Sequence, residues 1–295
     1  MELGKEHCDQ KSILEYCREN NIFQNKFEQV LLNAGLKPKS WNIKRTPSES
    51  TFRSRSLLFF AAGIYVAHKI SPNTPLIVPE NGTISINIPL DSGRRSACST
   101  RTTHPTFIKR IQEALQLVGI NNTFYNPYRL KSKADMMKDC DNDVNKSVIL
   151  RQLYSKSCSC AKRGHNSHWD KPGDVIRNRK ITHCGMCLPC LYRRVSLDII
   201  GLDSAEYVGT DVMHGTKYNL NIHNQKRNHD FNALLYFIKN RMDANIIRRE
   251  LFMNGIRSKQ ELDDYVSLAL HSYQQVKDWI VRKGTPEIKS KAGII

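Results

Sequence analysis

The stretch HCGMCLPC at residues 183–190 limits what this chain can fold into more than any other. Cys184, Cys187 and Cys190 recur there at two-residue gaps. Thiolates spaced this way converge on one soft metal ion, and Gly185 eases the tight turn between them. A closed tetrahedral site needs a fourth thiolate, and the pair CSC at 158–160 can supply it from Cys158 or Cys160. Four thiolates with no open position predict a structural zinc ion (Zn2+), not a catalytic one. A redox CxxC pair has no use for a third regular cysteine. The Cys-Pro further on that ends iron–sulfur runs of this type is missing. His165, His168 and His183 are the remaining substitutes for a cysteine ligand. Cys8, Cys17, Cys98 and Cys140 have no metal-like spacing and read as ordinary thiols, with Cys98 bordering a second motif.

Nine cysteines behind the polar N-terminus MELGKEHCDQ, which has no apolar leader, argue for metal or thiol chemistry in the cytoplasm instead of disulfides. LLFFAAGIYVA at 57–67 is too short to span a bilayer, so no membrane partner is expected, and it reads as a buried helix. The balance of 45 Lys and Arg against 28 acidic residues leaves +17, which favours nucleotides, nucleic acid or an acidic protein as partner. Between residues 158 and 195 there are eight Lys or Arg and two Asp. A zinc-stapled basic loop of this kind can touch a nucleic acid backbone, but no RNP-like or helix-turn-helix pattern accompanies it.

Apolar spacing predicts a helix or helical pair over 10–34 and a helix over 54–69. A short buried strand is expected at 76–78, a helix from Pro105, and a second strand within TFYNPY at 123–128. SKAD at 132–135 resembles a capping box, 144–154 is helical, and four further helices follow the cysteine segment. Helix–strand alternation of this kind belongs to an α/β fold with a parallel sheet covered by helices. Ligands of such sheets bind beyond the carboxyl ends of the strands. That places PENG, with Glu80 and Asn81, at the end of the first strand, and CSTRTTHP, residues 98–105, at the start of the following helix.

A helix N-terminus offers unpaired N–H groups and partial positive charge to anions. Ser99, Thr100, Thr102 and Thr103 add hydroxyls, and Arg101 adds a bidentate fork. Glu80 and Asn81 can hydrogen-bond a base edge or a ribose. The same residues serve equally well as a capped helix, with Thr103 or His104 as cap, behind a solvated loop. Arg53 and Arg55 either face this cleft or snorkel from the end of the apolar helix.

RSRSLLFFAAG, ENGTISINIPL, STRTTHP, NPYRLKSKADMM and SC…CGMCLPCLYRR, in that order, resemble the QueC-like 7-cyano-7-deazaguanine synthase family. The wording is closest to the QatC branch that accompanies bacterial Qat antiphage cassettes, and the likeness runs over roughly residues 45–290. The resemblance implies a sheet of the adenine nucleotide alpha-hydrolase type (PP-loop, Rossmann-like), with a zinc-binding loop and a helical C-terminal extension. It implies ATP with Mg2+, a deazapurine carboxylate substrate and a structural zinc. ATP would activate the carboxylate as an acyl-adenylate, and ammonia or a partner protein would then displace AMP.

Carried onto this chain, Arg55 would face the nucleotide, and Glu80 and Asn81 the substrate or base. Ser99, Thr100, Arg101, Thr102, Thr103 and His104 would line the substrate pocket. Cys158, Cys184, Cys187 and Cys190 would bind zinc, the family's Ser-Cys pair favouring Cys158. No residue is singled out as catalytic. The expected divisions are a helical segment and linker over 1–45, the α/β part over 46–157, the zinc segment over 158–200 and a helical region over 201–295.

One departure matters. The family's Ser-Gly-Gly-x-Asp-Ser loop wraps the pyrophosphate of ATP, and this sequence holds no Gly-Gly pair. Either the sequence is the C-terminal piece of a truncated or split gene, or it has lost ATP turnover. The favoured expectation is an enzyme part, inactive alone, with an N-terminal PP-loop half on a separate chain and other proteins of a defence cassette as candidate partners. The contrasting expectation is a non-catalytic, zinc-stabilised basic module that binds RNA or a partner protein.

Overall fold

The structure, a computed structural model, describes residues 5–31, 53–91, 101–163, 166–214 and 225–295. Cys98, Ser99, Thr100 and His165 lie outside the described residues, as do the side chains of Arg53, Arg55 and His168.

The chain is mostly helical. Helices α1 (Lys5–Glu19) and α2 (Arg53–Ile70) precede strand β1 (Leu76–Ile77) and the short α3 (Gly82–Ile86). Then come α4 (Pro105–Leu117), strand β2 (Phe124–Tyr125), α5 (Lys133–Asn142), α6 (Val144–Leu153) and α7 (Gly173–Asn178). The C-terminal part holds α8 (Leu188–Ile199), α9 (Gln225–Asn240), α10 (Ala244–Met253), α11 (Lys259–Lys283) and α12 (Pro286–Lys291).

The helical pair expected over 10–34 stops early. Asn21 takes φ 49, a left-handed conformation that ends the first helix, and only a short 3-10 turn at Ile22–Asn25 follows.

β1 and β2 pair in parallel, Leu76 opposite Phe124 and Ile77 opposite Tyr125, with α4 as the crossover between them. Buried Asn122 ties the approaches together. Its Nδ2 donates to the Ser71 and Thr74 carbonyls at 2.8 and 2.9 Å, and its Oδ1 meets His68 Nδ1 at 2.8 Å. The apolar helix α2 buries one stripe, Phe60, Ile64 and Ala67, and leaves Leu57, Leu58, Phe59 and Tyr65 exposed. Spacing of three to four residues puts only that stripe on the sheet, where Phe60 meets Phe124 edge-on at 5.3 Å.

α5 opens on the capping box expected at SKAD. Asp135 N donates to Ser132 Oγ and Ser132 N donates to Asp135 Oδ2, both at 3.0 Å. α11 is the spine of the C-terminal part, burying Leu262, Tyr265, Val266, Ala269, Tyr273, Val276 and Ile280. One hydrophobic cluster runs from Ile86 and Leu90 through Cys184, Cys187 and Cys190 to α9–α12. Arg194 of α8 is buried within it. Its guanidinium forks onto Asp203 at 3.0 and 3.2 Å, reaches Asp211 at 2.6 Å and lies 5.2 Å over the Trp279 ring. Among the described residues no helix is long and apolar enough to cross a membrane.

Candidate metal centre

The turn that gathers the cysteines is made by glycine. Gly185 has φ +80, and a Cβ there would lie 2.0 Å from the Thr210 carbonyl oxygen, so no other residue fits. The strand-like run before it is docked by Gly209 N donating to His183 O at 2.8 Å and Thr210 N to Cys184 O at 3.0 Å. Cys187 then caps α8, with Pro189 in its first turn, which returns Cys190 to the cluster.

The Sγ atoms of Cys160, Cys184, Cys187 and Cys190 all lie within 4.8 Å of one another. Cys184 and Cys190 are 3.8 Å apart. A tetrahedron with Zn–S bonds of about 2.3 Å has edges of about 3.8 Å, so the thiol set fits zinc. Backbone amides are aimed at the sulfurs. Cys184 N donates to Cys160 Sγ at 3.2 Å and Lys162 N to the same atom at 3.3 Å. Met186 N and Cys187 N both donate to Cys184 Sγ at 3.3 Å. Hydrogen bonds from Cys160, Cys187 and Cys190 hold the Cys184 thiol well below its ordinary pKa against the opposing effect of burial. The same contacts push Cys160 and Cys190 up, so metal capture must release protons.

Of the two candidates for a fourth ligand, Cys160 joins the other three thiols, and Cys158, which the resemblance favours, does not. Residues 158–160 run alongside 182–184 in a register that sets Cys158 Sγ 3.8 Å from Thr182 O, Ser159 N 3.1 Å from His183 Nε2, and Cys160 against Cys184. His183 also stands outside the four-thiol group. Its Nε2 accepts from Ser159 N and its Nδ1 meets Thr182 Oγ1 at 3.0 Å, while burial, followed by the charge of Arg193, lowers its pKa to about 3.

Two cations, neither singled out by the sequence reading, flank the cluster. Lys133 Nζ donates to Ser159 Oγ at 3.3 Å, and Arg193 donates to Ser157 Oγ at 2.9 Å and to the Tyr154 carbonyl. Burial, then Arg193, pulls Lys133 down to about 8, while Glu80, Cys190 and Cys187 oppose the shift. Such cations stand as outer partners to a tetrathiolate that remains negative after binding a divalent ion. Lys133 sits inside the SKAD capping signal, and spacing carries no sign of its second role.

Glu80 reaches this neighbourhood from the end of β1. Burial raises its pKa, while the Asn81 amide and Lys133 work against that. Asn81 is committed locally. Its Oδ1 accepts from Ile84 N at 3.1 Å, capping α3, and its Nδ2 donates one of its two N–H groups to Glu80 Oε1 at 3.0 Å.

The Arg101–Pro105 segment forms a separate cluster. His104 is the cap of α4, its Nδ1 accepting from Thr106 N at 3.2 Å. Ser85 Oγ donates to Thr103 Oγ1 at 3.4 Å, linking the segment to α3, and Thr102 is half-buried beside it. Arg101 Nε and His104 Nε2 are buried without a hydrogen-bond partner among the described residues. Burial lowers Arg101, opposed by Glu250, and lowers His104 to about 4, helped by Arg101. Glu80 is thus coupled to Lys133, and Arg101 to Glu250. The two halves of the expected pocket belong to different clusters joined through α3.

Of the eight cations between 158 and 195, four turn inward. Arg163 pairs with Asp9, and Lys171 donates to the Ala205 and Glu206 carbonyls at 2.7 Å. Arg193 and Arg194 are bound as described, so the segment presents less positive charge than its composition suggests. Set against known protein families, characterised proteins and solved structures, the chain matches none.

Proposed function

We propose that the chain carries the zinc-bound, substrate-binding part of a QueC-like ATP-dependent ligase. The observation that supports this reading is the half-buried pair Glu80 and Lys133, each electrostatically felt by the other, beside four clustered thiols. In this reading β1 and β2 belong to a PP-loop sheet completed by residues outside this chain. The zinc is structural and holds α8 against α5, which keeps Lys133 in place. Lys133 faces the anionic group of a deazapurine carboxylate, and Glu80 accepts from its ring N–H groups. The helix N-terminus at His104, with Arg101 beside it, is the second anion-facing element.

The carboxylate attacks the α-phosphorus of Mg2+-bound ATP and releases pyrophosphate. A nitrogen nucleophile then attacks the acyl-adenylate carbonyl and releases AMP. The 295 residues hold no Ser-Gly-Gly-x-Asp-Ser loop, so in this reading the pyrophosphate contacts come from a PP-loop outside them. The chain alone gives no ATP–pyrophosphate exchange.

Thermal shift with 7-deazaguanine carboxylate tests the substrate site. The expected result is a rise in Tm for the parent chain and none for Glu80→Gln or Lys133→Met. No response to the carboxylate, together with RNA binding that weakens steeply with salt, would establish the basic-module reading instead.

A further inference from the structure

α8 presents a second polar site on the face turned away from the Lys133 cleft. Tyr192 and Val195 face that cleft. Cys190, Arg193, Arg194 and Leu197 instead line a cavity of about 260 Å³ closed on its other sides by residues 179–183 and 202–208. Steps of three and four residues place these four side chains on one stripe.

Apart from the thiols, which Arg193 also faces through Cys190, this cavity holds more cations than carboxylates. Asp203 is its only lining carboxylate, and Arg194 already binds both of its oxygens. Arg179 has only exposed Glu206, at 3.6 Å. Arg193 and Lys180 have no carboxylate within 4.0 Å among the described residues, and the hydrogen bonds of Arg193 go to neutral acceptors, Ser157 and Tyr154. Lys180 also has an unfavourable backbone, with φ +51 at the residue that closes α7. Ile181 N returns to Ile176 O at 3.0 Å across it, the capping geometry in which glycine is the usual residue. A lysine costs about 1 kcal/mol more than glycine at such a position, and its side chain brings a charge to the open side of the cavity.

We propose that this cavity binds a small oxyanion, a carboxylate or phosphate on a body no larger than a single ring system, with Arg193 and Lys180 as its charge partners. Its volume lies just below the roughly 300–1,000 Å³ of common ligand pockets, which suits a small molecule and excludes a polymer. Hydroxyls of Thr182 and Ser204 supply further donors. The carboxylate of the ligase reading sits across α8; Arg193 meets Lys133 at Ser159, whereas Lys180 belongs to this cavity alone.

The test is calorimetric titration of the zinc-loaded full chain with inorganic phosphate and, separately, with benzoate. Binding of phosphate alone marks a phosphate site, and binding of benzoate marks a ring carboxylate. Arg193→Gln should weaken binding about tenfold or more, the worth of one charge-assisted hydrogen bond. Lys180→Gly should weaken it several-fold while Tm holds or rises, because glycine suits that backbone. If Arg193→Gln fails to fold, Lys180→Gly decides alone. Failure of both probes to bind, or unchanged affinity in Lys180→Gly, overturns the proposal.

Discussion

Gly185 and Gly119 turn the chain with nearly the same backbone, φ +80 and φ +78, in opposite surroundings. A side chain at Gly185 would strike the Thr210 carbonyl at 2.0 Å, whereas one at Gly119 would meet nothing within 4 Å. The contrast extends to their neighbourhoods. Around Gly185, amides point at sulfurs, the strand-like run is docked on 208–210, and three thiols are buried. Near Gly119 the sheet is two residues deep, and Ile77, Leu117, Val118 and Tyr125 are exposed. One region supplies its own partners, and the other leaves apolar surface in solvent. The first is where the fold should be fragile to single changes.

Metal removal should have the largest effect. Thiolate sites hold zinc with roughly 10 kcal/mol, and here the thiols are part of the main hydrophobic cluster. Chelation, or Cys184→Ala, should lower Tm steeply and expose α8 to hydrogen exchange. Unchanged protection of α8 after chelation would show that its core does not depend on metal.

Substituting the two glycines separates strain from collision. Gly185→Ala should cost about 4 kcal/mol or more, and Gly119→Ala only about 1 kcal/mol. Equal costs in urea unfolding would mean that the Thr210 contact contributes nothing.

A smaller effect tests the buried cap of α4. His104 stays neutral to about pH 4 in the folded chain but takes its proton near 6.5 when unfolded. Between those values the unfolded state binds more protons. Stability is therefore full above pH 6.5 and falls by roughly 3 kcal/mol as pH drops to 4. His104→Asn keeps an acceptor at the cap and removes the titration, so its stability should be flatter over that range. Identical slopes in both proteins would contradict a neutral, buried His104. Smallest of all, Ser132→Ala should cost about 1 kcal/mol through loss of the capping box, and an unchanged urea midpoint would discount that cap.

These regions also differ in how far they can be read from sequence. Periodicity of 3.6 residues marks α11 because each buried residue recurs within its own helix. The spacing of Cys184, Cys187 and Cys190 marks the knuckle because the turn that joins them is local. The choice between Cys158 and Cys160 is not local. It depends on the register of 158–160 against 182–184, which two cysteines two residues apart leave open. Asn81 looks fully available for a base until TISI, β-branched at three of its positions, folds into α3 and takes its amide oxygen as the cap. Lys133 and Arg193 become partners of the thiols only when α5 and α8 pack, and no spacing announces that.

Metal content of Cys158→Ser and Cys160→Ser, measured on purified full chain, bears on that register and on the whole picture of the centre. The parent and Cys158→Ser should each hold close to one zinc per chain, and Cys160→Ser should lose nearly all of it. Retention of zinc by Cys160→Ser with loss in Cys158→Ser would contradict the arrangement described here.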